Sequence, residues 1–215
     1  MTERVVLATR NEHKVRELRR ILLDAGTKVD LLDLGAFPDT PDVAETGLTF
    51  AANALLKAHA VASHTGLPAI ADDSGLCVDV LAGMPGIFSA RWSGKHGDDE
   101  ANLRLVLDQL RDVPDASRGA QFVCAAAYVA AAGSALAEEV TEGVLGGRIT
   151  REKAGSNGFG YDPIFVPDGH EQTTAEMTSE EKDAISHRGR AFRAMAARLG
   201  AGAGTRTPTP FSTGS

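Results

Sequence analysis

Cysteine is scarce in this chain, with two in 215 residues, Cys77 and Cys124. Two thiols in apolar surroundings spell no metal motif and no disulfide framework, so a reducing cytoplasm is the expected compartment. Aromatic residues make up 5%, with one Trp and two Tyr, and the formal net charge is −7. That composition offers neither the stacking platform nor the cationic funnel of a single-strand nucleic-acid binder. Long apolar runs are missing too. The longest, 122–132, is too short for a bilayer, which takes about 20 residues. The opening MTERVVLATR carries charge at Glu3 and Arg4 and has no apolar signal core. Nucleic acid and membrane are both excluded as expected partners.

What is present suits a folded enzyme-sized unit. Hydrophobic residues reach 43% and charged residues 24%, close to the globular norm. Residues 4–9 read as a buried strand, followed by a helix with Val15, Leu18, Ile21 and Leu22 on one face and a stop at Gly26. Residues 28–34 read as a second strand, and 49–64 as a helix closed by Gly66. A strand over 68–71 runs into Asp72-Asp73-Ser74-Gly75, and a separate strand is expected over 77–81. Residues 98–110 form an amphipathic pattern. Two apolar segments, 119–132 and 135–149, flank Gly133-Ser134, a hairpin signal. Thr178 with Glu181 fits a capping box, and Ser186 is placed to cap a last helix with Phe192, Met195, Ala196 and Leu199 inward. Residues 200–215, small and rich in Pro, Gly and Thr, read as a disordered tail after a domain of 1–199. Strand–helix alternation followed by a long hairpin predicts one mixed α/β domain, with strand direction left open.

Five stretches carry chemistry. TRNEHK (9–14) lies at a strand-to-helix junction, where free N–H groups and the helix dipole suit an anion. Taken alone it reads as a helix capped by Asn11 beside a solvated lysine. Thr49, Asn53 and Lys57 recur every four residues, as a solvated border or as a cleft wall. ADDSGL (71–76) sets two carboxylates side by side. Either a divalent cation neutralises them, or Asp73-Ser74-Gly75 makes a turn. EKDAISHRGRAF (181–192) gathers Lys182, His187 and Arg188 near a helix start, which surface charge alone also explains. In SNGFGYDP (156–163), Gly158 and Gly160 frame Phe159, as a core-plugging ring on a turn or as a ring awaiting a flat ligand.

In this order the stretches resemble the inosine triphosphate pyrophosphatase family, through TRNEHK, ETGLTFAANALLKA, ADDSGLCVDVLAGMPGIFSARWSG, GFGYDPIF and EKDAISHRGRAF, nearly the whole chain to Leu199. The resemblance implies a two-lobed mixed-sheet α/β domain with a central cleft, acting as a homodimer. It implies Mg²⁺-dependent cleavage of non-standard purine nucleoside triphosphates (ITP, dITP, XTP) into monophosphate and pyrophosphate. Residue by residue, it implies that Thr9, Arg10, Asn11, Glu12, His13 and Lys14 hold phosphate, with Lys57 and Lys182 as further cations. Asn53 and Ser74 would face substrate. Glu45 and Asp73 would bind the metal, and Asp73 would also accept a proton from water. Phe159, Gly160, Tyr161, Asp162, His187 and Arg188 would surround base and sugar, with Phe159 stacked on the purine. Ala44 departs from the pattern, since some members carry a second acid there. The alternatives are a septum-formation-inhibitor-type pyrophosphatase, against which the SHR and GFGYDP motifs speak, and a binding module without catalysis, which should lack the acid cluster Glu45, Asp72 and Asp73.

Overall fold

Strand β1 (Glu3–Leu7) sets up the site, because the chain leaves its carboxyl end straight into helix α1 (Glu12–Asp24). The computed structural model describes residues 3–26, 29–131 and 138–203. Asn11 caps α1, its side-chain oxygen accepting from the N–H groups of His13 and Lys14. The predicted stripe of Leu18, Ile21 and Leu22 is buried, each such side chain contributing about 1.5–3 kcal/mol. Strand β2 (Val29–Asp33) lies parallel to β1. Helix α2 (Phe50–Thr65) is capped by Thr49 and ends at Gly66, whose φ of 68° suits glycine.

The expected pair of strands around ADDSG is one strand, β3 (Ala69–Val78), parallel to β1 at its start and antiparallel along its length to β4 (Gly119–Val129). Asp72, Asp73, Ser74 and Gly75 are therefore ladder residues, opposite Ala126, Ala125, Cys124 and Val123, and not a turn. The strand stops at Val78, and Asp79–Leu81, expected as strand, is a single 3-10 turn. Strand β5 (Glu138–Ile149) pairs antiparallel with β4, and β6 (Phe165–Pro167), too short to read from pattern, pairs with β5. The predicted hairpin turn at Gly133-Ser134 lies outside the described residues. Helices α3 (Asp99–Gln109), α4 (Ser179–Ile185) and α5 (His187–Ala203) complete the fold. Both bonds of the capping box at Thr178 are made, and the Ser186 hydroxyl accepts from Gly189 N–H as expected of a cap. Helix α5 continues past Leu199, and residues 204–215 of the expected tail lie outside the described residues.

The mixed sheet has the order β2-β1-β3-β4-β5-β6. One core packs α1 and α5 on one face, through Leu18, Ile21, Phe192 and Met195. A second packs α2 on the other face, through Ala54, Ala58 and Val61. A third fills the far lobe between α3 and the outer strands, through Leu103, Val106, Phe122 and Phe165. Because β1 connects outward to β2 on one side and meets β3 on the other, its carboxyl end is a topological switch point, where such sheets open a crevice. Among the described residues, no helix is long and apolar enough to cross a membrane.

Candidate active site

A cavity of about 650 Å³ opens at that point. The β1–α1 junction brings Thr9, Arg10, Asn11 and Lys14 to it, α2 brings Lys57, and β3 brings Asp72, Asp73 and Ser74. Glu45 comes from the loop before α2. The 156–163 loop brings Phe159, Gly160, Tyr161 and Asp162, α4 brings Lys182, and the start of α5 brings His187 and Arg188. Three expected substrate contacts are absent from this lining. Glu12 pairs with Arg16 along the helix, and His13 lies behind the cleft against Phe159, ring centroids 5.7 Å apart. Asn53 is fully buried, bonding Gly47 N–H through its oxygen and Asp73 through its amide at 3.1 Å. It holds the carboxylate from behind.

The adjacent carboxylates do not form a repelling pair, because side chains of a strand alternate between faces. Asp72 points to the α1/α5 face, accepting from Lys14 at 2.9 Å and from Arg188 at 3.3 Å. Asp73 points to the α2 face, to Asn53 and, at 3.5 Å, to Lys57. Burial would raise Asp72, yet Lys14 and Arg188 override it and hold the carboxyl far below its usual range. Asp73 goes the other way. Burial, with Glu45 adding to it, outweighs Lys57 and Lys14 and raises its pKa. One carboxylate is a fixed negative charge, and its neighbour is ready to take a proton.

Arg188 is 2% exposed and fully committed. Its three guanidinium nitrogens reach Glu17 at 2.6 Å, Ser74 at 2.8 Å and Asp72 at 3.3 Å. It organises the cleft wall with no nitrogen left unpartnered for a base edge. His187 is the freer group. Its ring stacks on Phe122 at 4.8 Å, and its Nδ1 is buried without a partner among the described residues. Burial, helped by Arg188 and Lys182, pushes its pKa well below the usual value, so the imidazole is neutral. An unfolded chain takes up that proton near pH 6.5 while the native protein does not, so stability falls as pH drops below about 6.5. His187→Gln should flatten that acid-side slope in denaturant melts at pH 5 to 7.5. A slope unchanged from wild type would assign the acid sensitivity to other groups.

The 156–163 loop is built on Asp162, which accepts from Lys182 at 2.6 Å, Phe159 N–H at 2.8 Å and Thr174 at 2.8 Å. Gly158 has φ of 74°, and a Cβ there would sit 2.1 Å from the Asp162 carboxylate. Phe159 is half-buried at the cavity edge, with Lys182 5.2 Å and Arg188 5.6 Å from its ring centre. Tyr161 is pinned through its hydroxyl to the Ser89 carbonyl.

Glu45 and Asp73 converge on one point, the Lys57 ammonium, at 2.8 and 3.5 Å. Burial would raise Glu45, but Lys57 and Arg91 lower it on balance. Among the described residues no group of three or more His, Cys, Asp or Glu is placed to hold a metal. Two carboxylate oxygens still fit Mg²⁺, which commonly takes one or two carboxylates and completes its shell with water and phosphate oxygens. They suit an ion that arrives with a polyphosphate better than a resident one.

Sequence reading assigned no role to Glu17, Phe122 or Arg91. Glu17 reads as ordinary helix charge, since its partner is 171 positions away. Phe122 reads as core, and Arg91 stands in a quoted motif without a partner in view.

The Ham1 family model matches residues 5–198. A dITP/XTP pyrophosphatase of Streptomyces avermitilis is 62% identical over 192 residues, covering 89% of this chain and 94% of its own. One from Frankia alni is 59% identical over 201 residues, covering 91% and 96%. The crystal structure of a nucleoside-triphosphatase/dITP/XTP pyrophosphatase from Mycobacterium abscessus, 54% identical, superposes with a TM-score of 0.72 over 91% of this chain and 98% of its own. A HAM1 protein from Coxiella burnetii, 40% identical, gives 0.83 over 93% and 100%.

Proposed function

The chain belongs to the Ham1 family, and on that premise we propose that it hydrolyses non-standard purine nucleoside triphosphates (ITP, dITP, XTP) to monophosphate and pyrophosphate. The relatives' names support this over a septum-formation-inhibitor-type activity. The observation that carries it is the placement of Asp72 and Asp73 on opposite faces of β3, Asp72 held by Lys14 and Arg188 and Asp73 aimed by Asn53 beside Lys57. A module that only binds nucleotide has no use for the second carboxylate.

Phosphoanhydride cleavage asks a protein mainly to position charge and to neutralise it. Lys14, Lys57 and Lys182 stand around the cleft, each paired in the free protein with a carboxylate that a polyphosphate can displace. Asp73 takes the proton of a water whose oxygen bonds to phosphorus as the α–β anhydride breaks, and pyrophosphate leaves. Asn53 keeps that carboxylate aimed while the proton moves. Glu45 and Asp73 would hold Mg²⁺, which supplies charge neutralisation at the phosphates. Phe159 offers its ring to the purine, and neutral His187 lines the cavity beside it. In this reading the protein acts as a homodimer, as the family resemblance implies, and in the cytoplasm, as its two unpaired cysteines suggest.

Product analysis tests it. With Mg²⁺, ITP, dITP and XTP should each give monophosphate and pyrophosphate, with ATP and GTP much slower. Inosine diphosphate and inorganic phosphate from ITP would overturn the reading.

A further inference from the structure

Both oxygens of Glu45 are occupied by cations, and the two cations differ in how firmly they are held. Lys57 grips Oε1 at 2.8 Å and is shared with Asp73, its side chain 17% exposed. Arg91 meets Oε2 at 3.2 Å, and its side chain is 32% exposed. Glu45 is its one ion-pair partner among the described residues, and its guanidinium lies 5.4 Å from the Phe88 ring centre.

The base from which Arg91 extends is rigid. Residues Gly86–Arg91 form a 3-10 segment clamped onto β3 beside the catalytic carboxylate. The Ser89 hydroxyl accepts from Leu76 N–H at 2.9 Å and donates to the Gly86 carbonyl at 2.6 Å. Tyr161 donates to the Ser89 carbonyl, and Asn102 donates to that of Ala90. A Cβ on Gly75 would stand 2.3 Å from the Gly86 carbonyl, so strand and segment touch as closely as backbones can. A long, half-exposed arm thus reaches into the cleft from a fixed shoulder.

We propose that Arg91 is an exchangeable cation that neutralises Glu45 in the free protein and grips the pyrophosphate end of the substrate once Glu45 is engaged elsewhere. The proposal rests on the pyrophosphatase reading and adds a leaving-group contact to it. Glu45 cannot serve a metal ion through an oxygen that Arg91 occupies, and of its two cations Arg91 is the one with fewer ties and more solvent. A freed guanidinium, with five donors in a planar fork, is matched to a phosphate and poorly matched to remaining alone in a cleft. The reaction needs it there, because negative charge builds on pyrophosphate as the anhydride bond breaks.

Calorimetric titration of the full-length protein tests this with three probes: Mg²⁺ alone, pyrophosphate with Mg²⁺, and inosine monophosphate with Mg²⁺. Arg91→Ala should weaken pyrophosphate by about 10- to 100-fold, leave inosine monophosphate within about twofold, and bind Mg²⁺ alone more tightly than wild type. Arg91→Lys should fall between, since it keeps the charge and loses the fork. Pyrophosphate affinity unchanged in both variants would overturn the proposal, as would equal losses for pyrophosphate and monophosphate. Weaker Mg²⁺ binding in Arg91→Ala would overturn the exchange at Glu45. Light scattering on the same samples must show one mass for all three proteins, and pyrophosphate loss that follows a change of mass would also overturn it. If wild-type protein released no pyrophosphate from ITP, the pyrophosphatase reading would fail first, and that result is separate from the Arg91 comparison.

Discussion

Asp73→Asn is expected to abolish turnover of ITP while the nucleotide still binds. Removal of a general base alone costs roughly 10²–10⁴-fold in rate, and loss of one of two carboxylates that converge on Lys57 adds to it. Asparagine keeps the size of the side chain and a partner for the Asn53 amide, so the fold should hold. The pH profile carries the sign. Burial and Glu45 raise the pKa of Asp73, and only its deprotonated form can accept a proton. Activity of the wild type should therefore fall as pH drops through that raised value. The residual activity of the variant should lose that limb. Steady-state rates over pH 5 to 9, with equilibrium binding of ITP in parallel, measure both. Turnover within about threefold of wild type would remove Asp73 from the mechanism.

The second large effect is structural in origin. Arg188→Ala should lower the melting temperature by about 10 °C, taking a cost of about 3–5 kcal/mol for breaking a buried ion pair and 2–4 °C per kcal/mol at this size. The substitution strands Glu17 and Asp72, at 4% and 2% exposure, without the guanidinium that joins them. Burial works against the charge of Arg188, and Glu17 with Asp72 more than restores it. Glu17→Gln in the Arg188→Ala background should recover several degrees, because it withdraws one stranded charge. Activity should fall as well, since Ser74 loses its donor and Asp72 keeps only Lys14 and Ser74. A melting temperature within about 2 °C of wild type would show that the cluster relaxes or protonates instead.

Local signals were read well. The caps at Asn11 and Thr178, the stops at Gly26 and Gly66, and the apolar stripe of α1 all depend on neighbours within a few positions. The cleft depends on partners far away in the chain. Asp-Asp-Ser-Gly looks like a turn because its local chemistry is turn chemistry. What makes it a strand is neutralisation by Lys14, Lys57 and Arg188 from three helices, 58, 16 and 116 positions off. Asn53 shows the same limit. Its spacing with Thr49 and Lys57 is real, yet Thr49 turns out to be a cap, Asn53 a buried support, and only Lys57 faces the cavity. Arg188 lies in a stretch that reads as surface charge, because its buried partner Glu17 is 171 positions away. A helical pattern shows which face is apolar and does not show which buried carboxylate waits opposite.

The alternation along β3 has a consequence for how this protein can be altered. Asp72 and Asp73 hold their separate tasks only because an even number of peptide units separates like-facing residues, and the β3–β4 ladder counts those units from Ala69 to Val78. One residue inserted or deleted between Pro68 and Asp72 would rotate each carboxylate to the other side of the sheet, giving the proton acceptor to Arg188 and the fixed anion to Asn53. Every residue type would still be present, and the chemistry would be inverted. The connection between β2 and α2 has no such register to keep, but it carries Glu45 into the cavity and is constrained there instead. Within β3 the unit of tolerance is two residues, and even that would slide Ser74 and Gly75 away from Arg188 and the Gly86 carbonyl. Homologous exchange between chains of this family should accordingly cross over outside residues 68–78.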